Sequence, residues 1–506
     1  MQNAKVTQFN TFTMYQYPNG AKVCYKNQED TNIDVLFNGG HRISGDNTAI
    51  AHLLEHCVYL NKQFEISPLI GLEVGDASTN LSFCQFSFKM FEIDHDFSLS
   101  KEQAYIAQLN EVFKLLGSCF TKLDITPLEL QSEKLVLDKE SLNIYQDCHD
   151  HTFDAFFSKQ FNIKYASQPL GIKNTFGTYE ITKNISLADL MIFMQQNFTT
   201  QNLNLVISSP LPYKQIEKTI LEHFISVLPN YPISQHPFYT CQDITTSKYS
   251  ISKIKENKGV VAGVLPIVNC QNMNMSHALL VQNMIEMFSL NESSCLYPSV
   301  VFEFLRKQGL IYQTIDESKF NIGNNCGFYF SYETTPEQLS QALIRSAEYI
   351  SYTLNSIADP CFIENFMCEL DGVINSTYDE DDIDDIFIQA NNLEHVIPTN
   401  EYTRNLLETC LDLTDQEVED IVHQFKNNLN LQILLTGNVT LSSLPSIDML
   451  TDIAKGTFKN KEDYPANMQC DPLWKTKIDN LQISSLDTIN TQAIAKVQEV
   501  QNNIKI

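Results

Sequence analysis

Between residues 82 and 90, Cys84, Phe86, Phe88 and Met90 alternate with Gln85, Ser87 and Lys89, a period of two that predicts a half-buried strand. Three β-rich stretches precede it, at residues 11–17, 21–25 and 33–38, and Pro18-Asn19-Gly20 marks a hairpin turn between the first two. The spacing then shifts to a helical period. One helix follows Gly39-Gly40 and a polar loop; residues 100–116, 127–145 and 187–196 read as further helices, and 203–208 as a closing strand. Pro210, Pro212, Pro229, Pro232 and Pro237 place a connection in the stretch that follows.

The order of elements then repeats. Residues 260–268 predict a strand, 275–288 and 299–306 helices, 328–332 a strand, and 431–435 a last strand before Gly437-Asn438, with helices filling the chain to about 428. Recurrence at roughly 220 residues, without sequence identity, predicts an α+β architecture of two related domains rather than a solenoid. The boundaries read as a first domain over 1–215, a linker over 216–250, a second domain over 251–440 and a polar extension over 441–506 that contains the only tryptophan, Trp474.

Composition narrows the partners. Lys and Arg number 34 against 61 Asp and Glu, a net charge of −27, which argues strongly against nucleic acid as a ligand because phosphate contacts need cations. The excess would draw basic peptides toward a negative cavity, although solubility alone accounts for it. The longest apolar run, near residues 260–268, is broken by Gly263 and Pro266, so no membrane span is expected. Residues 1–15 lack the basic and apolar regions of a secretory signal. Thirteen cysteines without a C-x-x-C pair fit reduced thiols, and the expected location is cytoplasmic.

The chemistry concentrates in His52-Leu53-Leu54-Glu55-His56, an H-x-x-E-H. On a helix, residues four apart share a face, so His52 and His56 can present two imidazoles to one metal ion, with Glu55 beside a metal-bound water. This is the inverzincin order, and zinc takes such ligands while keeping a position open. The bland alternative is a pair of half-buried helix histidines. A third ligand must come from elsewhere, and Glu133 and Glu140, seven apart, share one helix face with Val136, Leu137 and Ile144. Carboxylates on an apolar stripe are costly unless a metal or solvent neutralises them. Cys148-His149-Asp150-His151 has spacing ill-suited to one ion on a helix, and the acidic run 379–385 lacks calcium-loop spacing and reads as a solvated helix start.

With these motifs the sequence resembles the pitrilysin, or insulinase-like, M16 peptidase family. Ala51-His52-Leu53-Leu54-Glu55-His56 matches its A-H-x-L-E-H, and Glu133 and Glu140 match its E-x-x-x-x-x-x-E. Gln168-Pro-Leu-Gly171, Gly177-Thr178, Glu180-Ile181 and the stretch from Leu305-Arg306 through Gly309-Leu310 to Tyr312 add support, so the resemblance spans about residues 10–440. It departs at Asp76-Ala77-Ser78-Thr79, where the family has N-A-x-T, at Ala49 in place of a glycine, at Cys57 in place of a common methionine, and in an Arg306–Tyr312 spacing one residue short.

The resemblance implies two homologous domains, each an antiparallel-rich sheet packed with helices, the first catalytic and the second without metal. It implies one Zn2+ held by His52, His56 and Glu140, with Glu133 in support and Glu55 as general base. Arg306 and Tyr312 would donate to the oxyanion, and the peptide substrate would add as a strand beside the 82–90 edge. It further implies a zinc metalloendopeptidase working as a homodimer or as a heterodimer with a related subunit. The alternative is a non-catalytic subunit of a processing complex for precursors or leader peptides; such members typically lose H-x-x-E-H residues, all of which this chain keeps.

Overall fold

The computed structural model describes residues 4–40, 49–80, 83–93, 99–146, 164–165, 168–169, 179–230, 243–252, 259–289, 305, 309–377, 383–393 and 399–458. Its first sheet comprises β1 (Lys5–Gln8), β2 (Thr13–Gln16), β3 (Lys22–Asn27), β4 (Asn32–Asn38), β5 (Leu72–Thr79) and β6 (Phe83–Met90). After the short antiparallel pair of β7 (Lys164–Tyr165) and β8 (Gln168–Pro169), the chain returns as β9 (Leu203–Ser209). The order is β1-β2-β3-β9-β4-β6-β5, with β3 and β9 parallel and the other pairs antiparallel.

The second sheet consists of β10 (Lys248–Ser252), β11 (Val260–Asn269), β12 (Gln313–Ile322), β13 (Asn325–Thr334) and β14 (Asn430–Thr436), in the order β10-β14-β11-β13-β12. Strand for strand this repeats β3-β9-β4-β6-β5, including the parallel pair, now β10 with β14. The helices recur in step: α1 (Ile50–Tyr59), α2 (Lys101–Cys119) and α3 (Pro127–Gln146) in the first half answer Met275–Ser289, Leu339–Ser356 and Pro360–Thr377 in the second. The chain is α+β and internally duplicated, as the order of sequence patterns predicts. β11 tolerates Pro266 in a central position because its ladder to β13 skips from Val264 to Ile267. At the edge of the gap Gly327, the partner of Ile267, has no side chain; a Cβ there would lie 2.3 Å from the Pro266 carbonyl oxygen.

Aromatic rings fill the first core. Phe37 stacks on Phe198 at 4.1 Å, and Phe120 meets Phe86 and Phe224 at 4.9 and 6.0 Å. Residues 213–228, within the proline-bearing stretch, also pack here through Tyr213, Ile216, Ile220 and Phe224. Their i, i+4, i+8 spacing builds the helix Tyr213–Ile220 and the turn after it, so the linker read from 216 starts later in the chain. At the other end, helix Ile447–Ala454 packs on Leu339–Ser356, and the compact unit reaches Gly456, beyond the boundary read at 440.

The opposite face of the first sheet presents Phe12, Met14, Cys24, Leu36, Phe83 and Val206, and helix Ile383–Ala390 of the second half covers it with Ile386 and Phe387. The Phe83 and Phe387 rings lie 4.6 Å apart. Lys22 Nζ donates to Asn391 Oδ1 at 2.6 Å, and Asn391 Nδ2 to Asn204 Oδ1 at 3.1 Å, stitching polar groups beside the apolar contact. We expect Phe387→Ala to destabilise the protein by about 3–5 kcal/mol, read as a lower urea midpoint; an unchanged midpoint would remove this contact as the joint between halves.

Two expectations need correction here. The 82–90 strand, β6, lies between β4 and β5 and is not an edge; β5 is. Its sequence, Leu-Glu-Val-Gly-Asp-Ala-Ser-Thr, is poor in strand formers and bulged between Val74 and Ala77, so its β character is masked. Nor is the whole acidic run solvated: Asp385 is 6% exposed and its Oδ2 accepts the Asn400 amide at 2.8 Å, capping the next helix. Among the described residues nine cysteines are free, and no helix is long and apolar enough to cross a membrane.

Candidate metal centre

α1 buries Ile50, Ala51, Leu53, Leu54, Cys57 and Val58 against the first sheet and leaves His52 and His56 half-buried on one side. The helical period alone produces this division, because the apolar positions fall on the face opposite the two imidazoles. The His52 and His56 Nε2 atoms face one another at 3.3 Å. Two imine lone pairs so close need a proton or a cation between them.

α3 supplies the carboxylates. Glu140 Oε2 lies 3.8 Å from His52 Nε2 and 3.6 Å from His56 Nε2. Glu133, two turns earlier, accepts from His56 Nδ1 at 2.9 Å. That bond places the ring proton on Nδ1 and frees the Nε2 lone pair, the usual outer partner of a metal-bound histidine. A tetrahedral zinc site with bonds of ~2.0–2.2 Å has edges of roughly 3.3–3.6 Å. The Nε2, Nε2 and Oε2 triangle has edges of 3.3, 3.6 and 3.8 Å, two within that range and one slightly above it, so this donor set fits zinc in chemistry and closely in size.

Glu55 sits behind the triangle. It is 7% exposed, with Oε2 3.8 Å from His52 Nε2 and accepting from Thr79 Oγ1 at 3.3 Å. Burial pushes its carboxyl up to about 7, opposed by the His56 imidazole and the Thr79 hydrogen bond. His52, Glu55 and His56 offer ligand atoms within 4.8 Å of one another; Glu140 offers a third donor to the same two rings, approaching both from a second helix. Cys57 turns away into the core, where burial pushes its thiol up to about 12. A thiol so placed is protonated at neutral pH and poorly reactive.

A second set of contacts fixes the register of α3, and sequence reading missed it. Thr126 and Glu129 cap the helix reciprocally, with the Glu129 amide on Thr126 Oγ1 at 3.2 Å and the Thr126 amide on Glu129 Oε2 at 2.5 Å. Three α3 side chains then clamp the short helix Tyr179–Thr182. Gln131 Nε2 donates to the Tyr179 hydroxyl at 3.2 Å, Asp138 Oδ1 accepts the Tyr179 amide at 2.7 Å, and buried Lys134 donates to the Lys183 carbonyl at 3.1 Å. Gln131, Lys134 and Asp138, at helical spacing alongside the two glutamates, were the available signal.

The structure thus brings together His52, Glu55, His56, Glu133 and Glu140. Tyr312 lies on the second half, 58% exposed and with its amide donating to the Glu333 carbonyl at 2.9 Å, with no hydrogen bond to the cluster among the described residues. Arg306, the helix read at 299–306 apart from Leu305, and Cys148-His149-Asp150-His151 lie outside the described residues.

Residues 184–358 match the family described as peptidase M16 inactive domain, a stretch that excludes the His52–Glu140 motifs. No curated protein sequence matches the chain. A peptidase M16 inactive domain from Pseudomonas fluorescens superposes with a TM-score of 0.59 at 14% identity, covering 85% of this chain and 98% of that one. A protease from Helicobacter pylori gives 0.54 at 15%, covering 86% and 99%. A mutant of the ferredoxin protease FusC, solved in complex with Arabidopsis ferredoxin, gives 0.60 at 13%, covering 91% of this chain and 51% of that chain. At these identities the likeness is one of fold.

Proposed function

We propose that this chain is an M16-family, zinc-dependent endopeptidase that hydrolyses peptides or short unfolded polypeptides. One observation carries the reading: three metal-donor atoms converge within 3.8 Å on the open side of a buried Glu55, with Glu133 orienting one of the rings. His52, His56 and Glu140 would hold the zinc, which when bound supplies a Lewis acid for a water and for the scissile carbonyl. Glu55 takes the proton of the attacking water and returns it to the leaving amine, acting as base and then acid. Glu133 keeps His56 in the tautomer that presents Nε2. The peptide adds as a strand along the free edge of β5, which gives main-chain binding tolerant of sequence. Tyr312 and Arg306 are proposed donors to the oxyanion on their sequence motif, and the place of Tyr312 on the second half would make closure of the halves part of the reaction.

A dimer, with itself or with a related subunit, is part of the proposal, supported by the double length of FusC relative to this fold. A cytoplasmic location is proposed from the free, largely buried thiols. A second reading has one observation in its favour: the matched segment is described as an inactive domain. In it the chain presents precursor or leader peptides to a catalytic partner. Elemental analysis of the purified protein, paired with cleavage of a mixed peptide library, separates the two. About one zinc per chain with cleavage by the chain alone supports the peptidase; zinc without cleavage favours the partner-dependent subunit; absence of zinc overturns the metal centre.

A further inference from the structure

Glu55 is held by the strand on which the peptide is proposed to dock. Thr79, the last residue of β5, donates its hydroxyl to Glu55 Oε2 at 3.3 Å. Its Oγ1 also lies 3.5 Å from Cys84 Sγ, and Thr79 and Cys84 face each other across the β5–β6 ladder. A hydroxyl has one proton, and a carboxylate is the stronger acceptor. The proton therefore goes to Glu55, while contact with the fully buried Cys84 pins the threonine rotamer from the central strand. The hydroxyl thus holds the oxygen of Glu55 that lies 3.8 Å from His52 Nε2, restricting rotation of the carboxylate beside the donor triangle.

β5 is weakly anchored just there. A bulge at Gly75 and Asp76 breaks its ladder to β6, so Ala77, Ser78 and Thr79 form a short separate section paired with Phe86, Gln85 and Cys84. Among the described residues the outer side of the strand has no partner in the sheet, and Asp76 and Ser78 are exposed. A peptide hydrogen-bonded to that side would stiffen the section from which Thr79 reaches Glu55.

We propose that Thr79 is a positioning residue that couples occupancy of the β5 edge to the orientation of Glu55, so that a peptide long enough to pair with the strand readies its own general base. This rests on the hydrolytic reading given above. Thr79→Val keeps the shape and removes the hydroxyl, and Thr79→Ser restores it. Thr79→Val is expected to lower kcat about tenfold, with KM within about twofold of wild type and zinc content unchanged, and Thr79→Ser to recover most of the loss. In wild type, kcat should be higher for a decapeptide than for a tetrapeptide, and in Thr79→Val this advantage should shrink. Equal kcat in Thr79→Val and wild type, equal losses in the valine and serine variants, or an undiminished length advantage would each overturn the coupling. Thermal unfolding of the zinc-free protein supplies a readout without turnover. The Tm shifts of Thr79→Val and Glu55→Ala should be non-additive in the double variant, and additive shifts would remove the contact whatever the activity. A wild type that binds zinc and cleaves nothing would defeat the hydrolytic reading, and the coupling with it, while the double-variant cycle still judges the contact between the two side chains.

Discussion

Replacing Glu55 with glutamine is expected to lower kcat for peptide hydrolysis by about 10³–10⁴-fold while zinc content stays near that of wild type. The amide has the shape of the carboxylate and its carbonyl oxygen still accepts the Thr79 hydroxyl, so the pocket beneath α1 keeps its packing and its hydrogen bond. What is lost is the proton acceptor. Glu55 contributes no edge to the tight triangle of His52, His56 and Glu140, which explains the expected separation of metal binding from turnover. Zinc by elemental analysis and kcat on a cleaved library peptide are the two readings. Turnover within tenfold of wild type would remove Glu55 as the base. Loss of zinc together with turnover would instead make Glu55 a ligand.

The parts of this site legible in the sequence share a property: their signal is local. The spacing of His52, Glu55 and His56 fixes their common face once a helix forms, and the seven-residue spacing of Glu133 and Glu140 does the same two turns apart. Which two helices come together was not local, and the motif resemblance supplied it. The contacts that secure the pairing, Lys134 to the Lys183 carbonyl and Asp138 to the Tyr179 amide, involve residues whose types suggest only a helix surface. β5 escaped notice for a related reason. A docking edge must stay exposed, and an exposed strand carrying Gly75, Asp76 and Ser78 has little of the alternation that marks β6. The same applies to helix Ile383–Ala390, whose acidic start hides an apolar face that closes over the first sheet. The duplicated topology was visible only as a repeated order of elements, because the halves share strand positions rather than residues.

The sharper test of the metal centre is a ranking. Glu140→Gln is expected to weaken zinc binding by more than about 100-fold, whereas Glu133→Gln should cost closer to about tenfold, the lower end of what outer-shell partners contribute. The difference follows from what each carboxylate touches. Glu140 Oε2 is the only carboxylate oxygen within 3.8 Å of both Nε2 atoms among the described residues. Neutralising it removes the negative charge that balances the ion and leaves two neutral imidazoles. Glu133 bonds the far nitrogen of His56, and a glutamine carbonyl can still accept that Nδ1–H, so the tautomer survives with a weaker partner. Competition against a calibrated zinc chelator measures both variants on one scale. The reverse order would mean that Glu133 reaches the ion and Glu140 supports it. α3 would then have to slide by two turns along α1, breaking the clamp of Gln131, Lys134 and Asp138 on helix Tyr179–Thr182. Because those three hydrogen bonds hold the register at both ends of the short helix, Glu140 should remain the residue whose loss empties the site.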